Sequence, residues 1–292
     1  MDIRGIIAAV PTPFDEKGNL ALGELERLLS FLVEARVDGV FVVGNAGEFY
    51  ALDEGEKRAV LKTTVATVAG KVPVLFGAGA ATTEESRRLA VMAAAEGADA
   101  LSVITPYVIR PSDDELFAHY LGICAATALP VLPYNNPAVT GVSISPRLLK
   151  RLATIETIGG IKDSSGDFAT TIEYLRVKKA GFSVLAGRDN LILSTLIHGG
   201  RGAMSSVASA VPEIAVSIYE AHVAGDAETA LESQMKFARL RQMFSLGTFP
   251  AVIKAALELR GFHFGLPRAP VGPLSPEALE ELAEGLREAG TI

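Results

Sequence analysis

One lysine, one tyrosine and a glycine-rich turn carry most of the chemical potential of this chain. Lys162 follows the apolar run Ile158-Gly159-Gly160-Ile161 with no other cation nearby. A lysine among apolar neighbours is partly stripped of water. Desolvation favours the uncharged amine, the form that attacks a carbonyl carbon and builds an imine. The other reading of Lys162 is a strand-end lysine paired with Asp163. Tyr134 ends a second apolar run. A phenol within reach of such an amine can pass protons to the carbinolamine and to the departing oxygen; taken alone, Tyr134 is equally an aromatic lid over a core. Gly44-Asn45-Ala46-Gly47-Glu48 is a tight turn whose backbone N–H groups suit a carboxylate, with Glu48 to cap or brace it. Thr105-Pro106-Tyr107, Gly187-Arg188-Asp189 and Met204-Ser205-Ser206 add hydroxyls and charges.

The elements that must position these residues are written in the hydrophobic pattern. Short apolar runs fall near 3–10, 38–43, 72–77, 98–104, 130–134, 157–161, 182–187 and 201–206. They are rich in Val, Ile and Phe, as strands buried on both faces are. Amphipathic stretches lie between them: Leu22, Leu25, Leu28, Leu29 and Leu32 recur at helical spacing. Asp53 with Glu56, Thr82 before two glutamates, and Ser112 before three acids open further helices. Eight strand–helix units predict a closed (β/α)₈ TIM barrel, an α/β fold. The competing doubly wound sheet is poorly served, because Gly77-Ala78-Gly79-Ala80-Ala81-Thr82 lacks the third glycine of a dinucleotide fingerprint and follows the third strand. In such a barrel the C-terminal strand ends form the active face, so all the residues above point to one mouth. Beyond residue 225 only helical segments follow, near 226–243, 249–260 and 276–289. A barrel over 1–225 with a small helical C-terminal region over 226–292 packed on it is expected.

Composition narrows the class. The formal net charge is −7, with acids spread among the bases, which argues against a nucleic-acid surface. Cys124 is the one cysteine, so no internal disulfide can form, and in a helical pattern it reads as a packing residue. His119, His198, His222 and His263 are scattered without metal-ligand spacing. No phosphate loop or nucleophile elbow is present. Imine chemistry by a lysine needs neither metal nor organic cofactor, and none is expected. The opening Met1-Asp2-Ile3-Arg4-Gly5 lacks the features of a signal peptide, and no run of roughly 18 apolar residues exists. A cytoplasmic protein without membrane contact is expected.

At these residues the chain resembles the family of dihydrodipicolinate synthase and N-acetylneuraminate lyase, class I aldolases that work through a Schiff base on pyruvate. The resemblance runs from Gly5 to Pro13-Phe14, through Gly44-x-x-Gly47-Glu48, Thr105-Pro106-Tyr107 and Tyr134-Asn135-x-Pro137-x-x-Thr140-Gly141, to Gly160-Ile161-Lys162-Asp163-Ser164-Ser165-Gly166. It implies the barrel with helical C-terminal region, a homotetramer, Lys162 as the imine-forming residue and Tyr134 as the proton shuttle. It further implies that Gly44, Asn45 and Ala46, with the backbone near Met204, hold the substrate carboxylate. Tyr107, Asp189 and Ser205 complete the expected substrate-binding set, Asp189 matching an acid that binds sugar hydroxyls in the sialic-acid lyase.

Departures from the family pattern bear on the substrate. Asn45 and Ala46 stand where the synthase usually carries hydroxyl residues, Val108 where it has a second aromatic, and Val139 where it has an arginine for the second substrate's carboxylate. The expected activity is therefore that of a lyase, aldolase or dehydratase, on a 2-oxo acid such as a 2-keto-3-deoxy sugar acid. Condensation of pyruvate with aspartate semialdehyde, the synthase reaction, is the alternative. A non-catalytic small-molecule-binding barrel is the third reading, and an intact Lys162 and Tyr134 weigh against it.

Overall fold

The computed structural model describes residues 3–292. Eight parallel strands close into one barrel: β1 Gly5–Ala9, β2 Gly39–Val42, β3 Val74–Gly77, β4 Ala100–Ile104, β5 Val131–Asn135, β6 Gly160–Asp163, β7 Ser183–Ala186 and β8 Gly202–Ser205. Each strand pairs with the next, and β8 returns to β1 with Ile6 opposite Ala203 and Ile7 opposite Met204. The ring leaves no edge open. Side-chain hydroxyls reinforce the seam: Ser183 donates to the Ile3 carbonyl, and Ser209 to the Ala9 carbonyl at 2.8 Å.

Every strand residue is buried, because one face fills the barrel and the other meets the helices. The outer helices bury one stripe each. On Leu22–Glu34 that stripe is Leu25, Leu28, Leu29 and Leu32, as the spacing predicts. Two helices begin with reciprocal caps. Asp53 accepts the Glu56 N–H at 2.8 Å while Glu56 accepts that of Asp53 at 3.0 Å, and Ser112 and Glu115 exchange the same pair of bonds. Thr82 caps a third. Cys124 is buried, and burial pushes its thiol up, as befits a packing residue. No helix among the described residues is long and apolar enough to cross a membrane.

Two features differ from the sequence expectation. The sixth strand is Gly160–Asp163, later than 157–161, so Lys162 lies within it. Apolar runs locate strands by their buried residues, and a strand that carries a lysine and an aspartate into a barrel mouth escapes that rule. The connections after β5 and β8 hold the short helices Pro137–Thr140 and Val207–Ala210, too brief to show a helical period. The final helices are Ala227–Met243, Ala251–Leu259 and Pro276–Glu288, close to the expected segments. The first packs on Pro212–Ala224 and on the turn Asp189–Leu191 that follows β7; the second packs on Val207–Ala210. Helical residues far along the chain are thereby carried to the barrel mouth.

Candidate active site

β5 and β6 pair in register with Tyr134 opposite Lys162. Registered neighbours in a parallel sheet point to the same face, so both side chains enter the barrel mouth. Lys162 Nζ lies 4.2 Å from the centre of the Tyr134 ring and 5.1 Å from that of Phe41 on β2. Strand alternation turns Asp163 to the other face. There its carboxylate accepts from Asn135 Nδ2 at 3.0 Å, Thr171 Oγ1 at 2.6 Å and the Ser165 N–H at 3.0 Å. The pairing of Lys162 with Asp163 is thereby overturned. The Tyr134 oxygen accepts from Asn136 Nδ2 at 2.9 Å and from Ser164 Oγ at 3.4 Å. With both acceptor positions engaged, the phenol proton is left for a third partner.

The Gly44–Gly47 turn is fixed from several sides. A Cβ on Gly44 would lie 2.3 Å from the Phe41 ring, so only glycine lets that ring close down beside Lys162. Thr12 Oγ1 donates to the Gly47 carbonyl at 2.7 Å. Val43 and Glu48 flank the turn in left-handed backbone, at φ 56° and 54°. Glu48 is wholly buried. Its Oε1 meets Lys254 Nζ at 2.7 Å, and its Oε2 accepts the Arg268 N–H at 2.9 Å. Lys254 Nζ also stands 4.2 Å from the Phe14 ring centre. Burial pulls the Lys254 amine below the usual lysine range, while the Glu48 carboxylate pushes it back up. The expected brace is therefore an ion pair with a C-terminal helix.

A cavity of about 220 Å³ opens over Lys162. Of the expected residues, Asn45, Ala46, Tyr134, Lys162, Asp189 and Met204 line it. Gly44 lies behind it, in a small adjoining space between Phe41 and Tyr134. Ser205 stands outside: its hydroxyl donates to the Asp189 carboxylate and accepts the Ala208 N–H at 3.0 Å. Tyr107 stands outside as well, edge-on to Phe49 at 5.7 Å, with its oxygen bonded to the Ala81 backbone. Asp189 is buried, and burial pushes its carboxyl up against the opposing pull of Ser205 and of Arg241, whose Nε lies 3.2 Å from Oδ2. Gln234 Nε2 donates to the Asp189 carbonyl at 2.9 Å.

Asn136, Phe41, Arg241, Phe244 and Phe249 line the cavity as well, outside the set expected from the sequence. Asn136 had a usable signal, two residues past Tyr134 at the entry to Pro137. Arg241 and Phe244 had none, since their helix reads as an ordinary charged surface helix. Among the described residues no group of three or more His, Cys, Asp and Glu side chains is placed to hold a metal ion.

Comparison with known proteins agrees with this geometry. Residues 2–289 match the dihydrodipicolinate synthetase family. The 4-hydroxy-tetrahydrodipicolinate synthase of Methanopyrus kandleri is 36% identical over 99% of this chain and 97% of its own length. That of Archaeoglobus fulgidus is 34% identical over 99% of both. The dihydrodipicolinate synthase of Thermotoga maritima superposes with a TM-score of 0.96 at 32% identity, covering all of both chains. YagE, a prophage protein of the dihydrodipicolinic acid synthase family from E. coli K12 solved with pyruvate, gives 0.95 at 33% identity over 99% of each. Matched in family over nearly its whole length and in fold over all of it, the chain belongs to the dihydrodipicolinate synthetase family and is a lyase of that family.

Proposed function

We propose that Lys162 forms an imine with pyruvate and that the bound enamine adds to aspartate semialdehyde, the 4-hydroxy-tetrahydrodipicolinate synthase reaction. The observation that carries this reading is the Lys162–Tyr134 pair: an amine against the face of a phenol whose oxygen already holds two donors. The uncharged Nζ attacks the ketone carbon, and the carbonyl oxygen takes the Tyr134 proton. The nitrogen, cationic after the attack, gives a proton back to the Tyr134 phenolate; Tyr134 passes it to the carbinolamine hydroxyl, which leaves as water as the C=N bond forms. Loss of a methyl proton gives the enamine, the nucleophile for the aldehyde. The turn at Gly44, Asn45 and Ala46, with the backbone near Met204, holds the pyruvate carboxylate.

The synthase reading gains on the sugar-acid reading for two reasons. Relatives of full length bear the synthase name. Asp189 and Ser205, the expected ligands for sugar hydroxyls, are spent on each other and on Arg241. Cleavage or dehydration of a 2-keto-3-deoxy sugar acid stays as the second reading because Val139, apolar and 55% exposed, lies at the cavity where the family pattern has an arginine. The assembly proposed from the resemblance is a homotetramer, which light scattering at micromolar concentration tests; a monomer there would refute it.

Pyruvate with borohydride leaves a reduced adduct that mass spectrometry places on Lys162, and Lys162→Ala abolishes it. An adduct on another lysine, or none, overturns the mechanism. On the same preparation, kcat/KM for condensation exceeds that for sugar-acid cleavage; the reverse order selects the second reading.

A further inference from the structure

Arg188 and Arg241 have no part in the chemistry above, yet both line the cavity over Lys162. They also line a second, outer space of about 630 Å³ shared with Gly166, Asn190 and Ser245. The two arginines therefore stand where the outer space meets the inner one. Each is anchored through its Nε. Arg188 Nε donates to the Ser164 carbonyl at 2.9 Å, and Arg241 Nε faces Asp189 Oδ2 at 3.2 Å. Among the described residues the terminal Nη groups of both donate no hydrogen bond, and the anchored edge sets the direction of each fork. Arg241 is further supported by the Phe244 ring, whose centre lies 5.7 Å from its Cζ. The guanidinium side chain is 31% exposed, so it is reachable but partly desolvated.

Two guanidinium groups and Lys162 face one buried carboxylate, Asp189, in a chain whose net charge is −7. A local cationic excess at a cavity mouth draws anions. Planar forks with free Nη edges match a carboxylate in bidentate fashion, which a lysine cannot do. Val139, which lines the same cavity, supplies no side-chain donor. We infer that Arg188 and Arg241 form the binding site for the carboxylate of the second substrate. Asp189 and the Ser164 carbonyl are positioning groups for the two forks. This inference rests on the imine reading for its placement of the acceptor, but the carboxylate site itself does not need Lys162 to react.

Two arms test it. In steady-state kinetics, Arg241→Leu and Arg188→Leu each raise KM for aspartate semialdehyde by about ten- to a hundred-fold, the usual effect of losing a charged hydrogen-bonding partner. KM for pyruvate and the rate of borohydride trapping stay within about two-fold, and Arg241→Lys falls between wild type and Arg241→Leu. In calorimetry on the Lys162→Ala protein, succinate binds and its neutral diamide does not, and Arg241→Leu weakens succinate by a similar factor. Failed trapping with intact succinate binding refutes the imine reading and leaves the carboxylate site standing. Unchanged semialdehyde KM in both leucine variants, a loss carried by pyruvate instead, or equal binding of succinate and its diamide overturns the inference.

Discussion

Replacing Lys254 by methionine removes the charge that lets Glu48 sit in the interior. The two side chains are 2% and 0% exposed, and their charged atoms are 2.7 Å apart. In the variant, Glu48 Oε2 keeps the Arg268 N–H, but Oε1 has no hydrogen bond to fall back on among the described residues. Removing one partner of a buried pair typically costs about 3–5 kcal/mol, because the other charge is left uncompensated. With a urea slope of about 3 kcal/mol per molar, the unfolding midpoint falls by roughly 1–2 M. Adding Glu48→Gln to Lys254→Met removes the stranded charge and still accepts the Arg268 N–H, so the double variant recovers most of the loss. Glu48 follows the Gly44–Gly47 turn directly, so the single variant also raises KM for pyruvate more than it lowers kcat. Urea titrations followed by circular dichroism read the stabilities. A single-variant loss under about 1 kcal/mol, or a double variant no better than the single, would show that the pair does not carry the charge balance argued here.

Tyr134→Phe lowers kcat by roughly 10² to 10⁴, the scale of general acid–base catalysis, while the folded protein is retained; near-normal turnover reduces Tyr134 to a packing residue. His119 is buried beside Thr83, with burial lowering its pKa to about 4. The folded state therefore binds fewer protons than the unfolded state between about pH 6.5 and 4, so stability falls as pH drops through that window, by up to about 3 kcal/mol. His119→Gln flattens this part of the urea-midpoint profile, and an unchanged slope in the variant contradicts the assignment.

The barrel was legible because parallel strands covered on both faces write themselves as unbroken apolar runs, such as Val40 to Val43 and Val131-Leu132. Lys162 was legible for the opposite reason, as a charge that interrupts such a run. What escaped were relations between distant segments. Arg241 and Gln234 sit on a helix whose exposed face mixes charged residues with Leu231 and Met235, and nothing local tells that two of its side chains reach Asp189. Alternation at the end of β8 decides which neighbouring serine lines the cavity, and it is Ser206, with Ser205 turned to Asp189. A one-residue error in phase reverses that choice. Tyr107 lies in a loop past β4, where no periodicity sets direction, and it turns to Phe49 and away from the cavity.

The seam between β1 and β8 has a consequence for how the enzyme is made. Ile6 and Ile7 pair with Ala203 and Met204, partners synthesised almost two hundred residues later. At a ribosomal rate of about 5–20 residues per second, the first strand waits roughly 10–40 s for its neighbour on that side. During this time the nascent chain carries an apolar strand with one unpaired edge, a template on which another chain can add. Demand for chaperones then follows the rate of translation, and a slow stretch of message before β8 lengthens the exposure of β1 without changing the stability of the finished barrel.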